Sequence, residues 1–223
     1  MRALIFDMDG TLVDSEKYWV LMPRVLLFQY GISYTDEEWQ RLPWRVNSFH
    51  ASLKNYFALP DPAPDRSFEE CEAWCIDYMY HRVYPSPDKV LLKPDADETV
   101  RAAAALHLPM CVLSATPTPL IDYTLRNNGI REPFDFIDST YHAQSKRHPE
   151  LFHKTAERLG TTADQCLVLE DSLYAIESAK QAGCTVWAIH DDKQIPDREA
   201  IRRTADRYFE THAEMAAALH ALA

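Results

Sequence analysis

The chain lacks an apolar run of about 18 residues, which is the length that a membrane-spanning helix needs. It also lacks internal repeats, low-complexity tracts and lipidation motifs. Near the N-terminus, Asp7 interrupts the stretch in which a signal peptide would carry its apolar segment. These absences argue against secretion and membrane insertion, and they predict a cytoplasmic protein.

An excess of positive charge is also missing, since 23 Lys and Arg stand against 34 Asp and Glu and the formal net charge is −11. Nucleic acids and anionic membranes attract clustered cations, so we expect neither as a partner. An anionic substrate would need positive charge placed locally. A divalent cation and a single lysine can supply it.

Cysteine is scarce, with five scattered residues, an odd number that leaves at least one thiol unpaired and fits a reducing compartment. Cys71 and Cys75 are four apart and share a face if they lie on a helix. No second pair of Cys or His at ligand spacing accompanies them, which favours packing over zinc binding. With 47% hydrophobic and 11% aromatic residues, the chain has the composition of a globular protein rather than a disordered one.

The most informative stretch is the apolar run of residues 2–6, which ends in Asp7, Asp9 and Gly10. Such a run suits a buried parallel strand, and ligands bind at the carboxyl ends of strands in open α/β sheets. Side chains two apart on a strand point the same way, so two carboxylates would lie together there. They repel unless a proton or a cation lies between them, which points to Mg²⁺. An Asp-x-Asp-Gly sequence also suits a turn, and this stretch alone leaves both interpretations open.

The chain after Asp14 leaves the alternation of strands and helices for roughly 70 residues. Helical spacing of apolar residues there predicts helices that begin after Ser15, near Asp36, at residue 44 and at residue 68, with the last two reaching residues 57 and 83. We therefore predict an inserted, all-helical cap domain over residues 15–85.

Residues 1–14 and 86–223 are predicted to form the α/β core domain, a Rossmann-like, doubly wound parallel sheet. Continuous apolar runs predict strands at residues 109–113 and 166–169, and three further strands are predicted at 134–137, 185–189 and 207–209. Two of them end in polar triplets, Ser114-Ala115-Thr116 and Glu170-Asp171-Ser172.

The chain resembles the haloacid dehalogenase-like superfamily of phosphotransferases in four pieces that follow in order: Asp7-x-Asp9-x-Thr11, Ser114, Lys146 and Glu170-Asp171. The helical insertion just after the first piece is similar to that of the β-phosphoglucomutase-like subfamily. The resemblance implies a Mg²⁺-dependent phosphatase that hydrolyses a small phosphomonoester, such as a sugar phosphate or a nucleotide. We expect it to act as a monomer.

The resemblance also implies a role for each catalytic residue. Asp7 would be the nucleophile that forms an aspartyl-phosphate, and Asp9 would be the general acid and then the general base. Ser114 and the amide of Ala115 would bind phosphoryl oxygens. Lys146 would neutralise the charge that develops on them.

The ligands implied for Mg²⁺ are Asp7, Asp9 through its backbone carbonyl, and Asp171, with Glu170 acting through a bound water. Three departures from the family pattern stand out. Lys146 lies in Ser-Lys-Arg-His-Pro rather than Gly-Lys-Pro, so Lys154 is a second candidate; Ala175 replaces a glycine; and Trp19 stands where the mutase carries a histidine.

The tryptophan at that position favours hydrolysis over phosphohexomutase chemistry. The mutase nevertheless stays open as an alternative. So do a haloacid dehalogenase, which Asp9 disfavours, and a phosphate-binding regulatory protein with a vestigial site.

Overall fold

The computed structural model describes residues 1–46, 48–63, 65–141 and 145–222. The chain divides into two compact units, one formed by Met1–Asp14 with Val90–Ala223 and the other by Ser15–Lys89. The first unit contains the whole β-sheet and the second is helical. Within the described ranges, we find no helix with the length and apolar character to cross a membrane.

The sheet has six strands, and every pair of neighbours is parallel. The strands are β1 (Ala3–Phe6), β2 (Met110–Ser114), β3 (Phe136–Ser139), β4 (Cys166–Glu170), β5 (Thr185–Ile189) and β6 (Arg207–Phe209), in the spatial order β3-β2-β1-β4-β5-β6. Central β1 is completely buried, and its Ile5 lies level with Cys111 and Val168. This arrangement confirms the predicted doubly wound parallel sheet.

The helical unit contains α1 (Glu16–Gln29), α2 (Asp36–Arg41), α3 (Phe49–Phe57) and α4 (Phe68–Tyr78), and α4 continues into a π-helical turn at Met79–Val83. Capping boxes begin two of these helices, Thr35 with Glu38 at α2 and Ser67 with Glu70 at α4. A buried aromatic cluster of Trp39, Trp44 and Tyr56 lies in this unit.

In the described part of the sheet unit, the α-helices are α5 (Ala96–Ala104), α6 (Thr118–Asn127), α7 (Pro149–Arg158), α8 (Leu173–Gln181), α9 (Arg198–Thr204) and α10 (His212–His220). The apolar core joins alternate strand residues such as Ile5 and Val168 to Phe152 of α7 and Ile176 of α8. All five cysteines are buried in the described chain, and none is in a disulfide.

Two predicted elements differ from the structure. The helix predicted over 44–57 begins only at Phe49, since Trp44 packs in the aromatic cluster, 5.5 Å between ring centroids from Trp39; residue 47 of that prediction lies outside the described residues. The strand predicted at 134–137 lies at Phe136–Ser139, because the ring of Phe134 packs on Phe6 before the strand begins. In both cases an aromatic residue was included in a predicted helix or strand because of its spacing, whereas its side chain packs on a partner elsewhere in the chain.

The two ends of the helical insertion meet beside β1. Val13 bridges to Leu92, the Asp14 amide donates to the Leu91 carbonyl at 2.9 Å, and the Lys93 amide donates to the Leu12 carbonyl at 2.9 Å. The chain therefore leaves the sheet unit a few residues after Asp9, and it rejoins that unit by pairing with the same segment, residues 12–14.

Candidate active site

The candidate site begins where β1 ends. The Asp7 amide still donates to the Leu169 carbonyl of β4 at 2.9 Å, so this residue keeps the register of the sheet while its carboxylate lies past the last strand residue. Asp7 is only 6% exposed. The chain then turns sharply, because the amides of Leu12 and Val13 both donate to the Met8 carbonyl. The turn is therefore closed by its own backbone, and it places Asp9 and Gly10 beside the nucleophile candidate.

Lys146 lies three residues before α7 and is 4% exposed. Its ammonium donates to Asp7 Oδ1 and to Glu170 Oε1, the second at 2.9 Å. A charged lysine buried this deeply is stable only when carboxylates pair with it. The structure thus brings together three of the residues singled out in the sequence, whereas Lys154 is exposed on α7.

Glu170 is fixed by the loop that follows β4. Its Oε2 accepts hydrogen bonds from the amides of Asp171 and Ser172 at 2.6 and 2.7 Å and from the Ser172 hydroxyl at 3.0 Å. With Lys146 on Oε1, both oxygens of Glu170 are occupied. Ala175, which stands in the place of a family glycine, is buried in α8. The hydrogen bonds that hold Glu170 are all made with alanine at this position.

Three buried carboxylates form the cluster that could bind a cation. One oxygen each from Asp7, Glu170 and Asp171 lies within 4.8 Å of the others. Thr11 Oγ1 donates to Asp171 Oδ1 at 3.1 Å and Gln194 Nε2 to Asp171 Oδ2 at 3.3 Å. Among the described residues, no donor satisfies the buried Asp7 Oδ2. This orphaned oxygen is a natural ligand for a hard cation.

The carboxylate of Asp9 contacts two hydroxyl groups at the end of β2. Ser114 Oγ and Thr116 Oγ1 donate to Asp9 Oδ2 at 2.8 and 2.9 Å, and the Thr116 amide donates to Ser114 Oγ at 3.0 Å. Ala115 lies exposed between them. The Asp9 carboxylate is therefore oriented by two hydroxyl donors.

The ionisation of the site follows from burial. The pKa of Asp7 is raised to about 8, chiefly by burial. The carboxylates of Glu170 and Asp9 also raise it, and Lys146 opposes them. Burial opposes the charge on Lys146 as well, but Asp7 and Glu170 outweigh it and raise the pKa of the lysine. Burial and the neighbouring carboxylates thus favour the protonated form of Asp7 in the metal-free site.

Tyr174 lies close to the same charges. Burial raises its pKa to about 12, and Glu170 and Asp7 contribute while Lys146 opposes them. The guanidinium of Arg147 lies over the Tyr174 ring, 4.4 Å from its centroid. Arg147 is the residue that replaces the proline expected after the lysine, so this departure from the family pattern is accommodated by stacking.

The sequence interpretation missed several residues that contact the site loops. Thr116 was visible as part of a polar triplet, but His212 and Lys93 carried no local signal. His212 lies at the start of α10, where its Nε2 contacts the Thr11 carbonyl at 2.8 Å and its Nδ1 contacts Thr99 Oγ1 at 2.9 Å. The imidazole therefore supports the backbone of the turn that carries Asp9.

We expect His212 to make folding stability sensitive to acid. Burial lowers its pKa from the ordinary value of 6.5 to about 4. Between these values the unfolded chain binds the proton and the native state does not, so stability is full above the upper value and falls on acidification. At about pH 4.5 the loss is roughly 2 to 3 kcal/mol.

Urea unfolding at several pH values checks this expectation. His212→Gln should lose stability less steeply than wild type below about pH 6.5, while His153→Gln, at an exposed histidine of α7, should follow wild type. Parallel curves for wild type and His212→Gln would contradict the assignment.

Comparison with known proteins places this geometry in a family. A family model described as a haloacid dehalogenase-like hydrolase matches residues 1–183. The phosphoglycolate phosphatase of Salmonella paratyphi A is 28% identical over 201 residues, which cover 82% of this chain and 79% of the relative. The phosphoglycolate phosphatase of Shigella flexneri is 27% identical with the same coverage.

Solved structures show the same architecture. A HAD family hydrolase from Deinococcus radiodurans, solved with bound phosphate and sodium, superposes with a TM-score of 0.72 at 26% identity and covers 98% of this chain and 95% of its own. CbbY from Rhodobacter sphaeroides, solved in complex with phosphate, superposes with a TM-score of 0.70 at 21% identity and 96% coverage of each chain, a likeness that shows the fold alone. Since the family model covers most of the sequence, including every motif from Asp7 to Asp171, the chain belongs to the haloacid dehalogenase-like hydrolases, as its resemblance predicted.

Proposed function

We propose that this hydrolase is a Mg²⁺-dependent phosphatase of a small phosphorylated metabolite and that it works through a phosphorylated Asp7. The observation that carries the proposal is the buried convergence of Asp7, Lys146, Glu170 and Asp171 at the ends of β1 and β4. The phosphoglycolate phosphatases among its relatives support the same class of reaction. They also make a small phosphorylated carboxylic acid the first substrate to test.

In the proposed reaction, Asp7 attacks phosphorus with one carboxylate oxygen, and the ester oxygen of the substrate leaves. Asp9 gives its proton to that leaving oxygen. In the second half, Asp9 takes a proton from water, the water oxygen bonds to phosphorus, and the bond to Asp7 breaks. The two hydroxyls on Asp9 Oδ2 support this role because they fix the direction of the carboxylate.

Positive charge and hydrogen-bond donors would stabilise the phosphoryl oxygens. Lys146 is already beside Asp7, where it would meet an incoming phosphoryl group. Ser114, the last residue of β2, and the amide of Ala115 directly after it lie on the Asp9 side of the site. Together they would supply donors aimed at charge that grows in the transition state.

The residues present fit Mg²⁺. All candidate ligands are oxygens, one of them the orphaned Asp7 Oδ2, and a Cβ added at Gly10 would approach Asp171 Oδ2 to 2.6 Å. Asp7, Asp171 and the backbone carbonyl of Asp9 would bind the ion, with Glu170 acting through a water. Bound there, Mg²⁺ would neutralise the carboxylates and polarise the phosphoryl group.

We expect the affinity for Mg²⁺ to rise with pH. Because Asp7 keeps a proton below a pKa of about 8 in the metal-free protein, Mg²⁺ must displace that proton. The dissociation constant should therefore fall by up to about tenfold per pH unit between about pH 6 and 8. Calorimetric titration of metal-free protein measures it, and Asp7→Asn is the control in which the pH dependence should disappear. A wild-type affinity that does not change with pH would contradict the assignment.

A substrate panel tests the function as a whole. Phosphoglycolate, sugar phosphates, nucleotides and polyol phosphates would be assayed for free phosphate with Mg²⁺, with EDTA, and with Mg²⁺ restored. The proposal requires release that EDTA stops and Mg²⁺ restores. Isomerised sugar phosphate without free phosphate would indicate a mutase, halide release without metal would indicate a dehalogenase, and no turnover would indicate a vestigial site.

We further propose that the helical unit is a cap that selects the substrate. Its two junctions, at Asp14 and Leu91, pair with each other in the sheet unit beside the turn that carries Asp9, which supports an insertion that can hinge there. The expected monomeric state and cytoplasmic location stay predictions.

A further inference from the structure

Lys93 is a lysine outside the motifs that ends close to them. It follows the strand-like contact of Leu92 with Val13, and its side chain is only 14% exposed. Its ammonium donates to the Gly10 carbonyl at 2.7 Å, the His190 carbonyl at 2.6 Å and Asp191 Oδ2 at 3.0 Å. These three acceptors use all three ammonium protons.

The first acceptor is the carbonyl of Gly10, in the turn that follows β1 and carries Asp7 and Asp9. Gly10 has a φ of +85°, and its α-carbon lies so close to Asp171 that a Cβ would come within 2.6 Å of Oδ2. Gly10 thus faces the Asp171 carboxylate with the side of its backbone where a Cβ would stand, and its carbonyl accepts from Lys93. The position of this glycine sets how closely the turn after β1 approaches Asp171.

The other two acceptors belong to the loop after β5. Asp191 Oδ1 accepts from the Lys193 amide at 2.9 Å, and this contact begins the 3-10 turn Asp192–Asp197. Gln194 on that turn donates to Asp171 Oδ2 at 3.3 Å. Lys93 therefore reaches Asp171 by two routes, through Gly10 and through the turn that carries Gln194.

We propose that Lys93 is a positioning residue that fixes the spacing between the Asp7–Gly10 turn and Asp171, and that this spacing makes the carboxylate site prefer Mg²⁺ to Ca²⁺. Mg²⁺ requires near-ideal octahedral geometry with short bonds, whereas Ca²⁺ accepts longer bonds and looser geometry. Because the Lys93 ammonium bonds to both the Gly10 turn and the loop after β5, we expect it to hold the Asp7–Gly10 turn and Asp171 at the shorter spacing that Mg²⁺ requires. The inference rests on the proposed metal-dependent function.

The test is calorimetric binding of Mg²⁺ and of Ca²⁺ to metal-free protein, in wild type and in Lys93→Met, which keeps the length of the side chain and removes its donors. Loss of an outer contact that orients ligands typically weakens metal binding by about 10- to 100-fold, and we expect the lower figure for Mg²⁺. Ca²⁺ binding should weaken by less than roughly threefold, because the looser site still suits the larger ion. The preference for Mg²⁺ should therefore fall several-fold.

Two variants separate positioning from general stability. Asp191→Asn removes the ion pair and weakens the route through the turn that carries Gln194, but it leaves Lys93 on Gly10. Its unfolding midpoint should therefore fall, and its Mg²⁺ preference should fall by less than that of Lys93→Met. Lys154→Met alters an exposed lysine of α7 and should change neither quantity. If Lys93→Met does not fold, Lys93→Arg is the substitute, since a planar guanidinium does not reproduce three contacts made by one compact ammonium.

Each outcome bears on the inference. An unchanged Mg²⁺ preference in a folded Lys93 variant would overturn it and leave the proposed function standing. A loss of preference in Asp191→Asn as large as that in Lys93→Met would overturn it too, because the Gly10 contact would then contribute nothing to the spacing. Wild-type protein that binds no Mg²⁺ would overturn both the inference and the metal dependence of the proposed function.

Discussion

Asp7→Asn is expected to abolish phosphatase turnover while the protein stays folded. The amide has the shape of the carboxyl group but is too weak a nucleophile to attack phosphorus, so the covalent route is lost. The loss should be roughly three orders of magnitude or more in kcat. The fold should survive because the substitution removes a charge from a crowded cluster and Lys146 keeps Glu170 as its partner.

Steady-state release of phosphate measures the effect, and thermal unfolding shows that the variant is native. Asp138→Asn is the matched control, since Asp138 is a partly exposed carboxylate of β3 whose side chain pairs with Arg158 at 3.0 Å. We expect this control to retain wild-type kcat. An Asp7→Asn enzyme within about tenfold of wild type would remove Asp7 from the nucleophile role.

Lys146→Met should have the second largest effect, and it should act on both activity and stability. The substitution takes away the cation beside the site of attack, and removal of one such electrostatic group typically costs about 10² to 10³ in kcat. It also leaves Asp7 and Glu170 buried without their shared partner. Breaking a buried pair in this way costs about 3 to 5 kcal/mol of unfolding free energy.

The two effects are measured separately, by kcat at saturating substrate and by urea unfolding. Lys154→Met tests the second candidate lysine named from the sequence, and since Lys154 is exposed, both quantities should stay at wild-type values. If Lys154→Met lost activity and Lys146→Met kept it, the assignment of the lysine would be reversed.

Strands with continuous apolar runs were readable from the sequence because burial alone dictates their composition. The strand predicted at 185–189 coincides with Thr185–Ile189, in which only Thr185 is exposed. The strand predicted at 207–209 also coincides with Arg207–Phe209, although only Phe209 of this edge strand is buried. The errors at residues 44 and 134 share a cause. An aromatic side chain that packs on a distant partner resembles part of a helix or strand when only its spacing is considered.

The site was readable where its residues follow strands, since parallel strands deliver their carboxyl ends to one edge of the sheet. Asp7 and Asp171 meet for that reason, although 164 positions separate them in the sequence. Lys93 and His212 were not readable, because each is a single polar residue whose contact with the β1 turn is made by folding. Supporting residues of this kind have no spacing rule and emerge only from the structure.

Formation of a phosphoryl bond to Asp7 is the central claim, and one measurement tests it directly. The Asp9→Asn variant would be mixed with p-nitrophenyl phosphate, and the reaction would be quenched in acid. The protein would then be digested, and the mass of the peptide that contains Asp7 would be measured by mass spectrometry. Nitrophenolate leaves without a proton, so the first half of the reaction proceeds, while the missing base delays hydrolysis and the intermediate accumulates. The account predicts a peptide heavier by one phosphoryl group on Asp7, and nitrophenolate release without any phosphorylated Asp7 would contradict it.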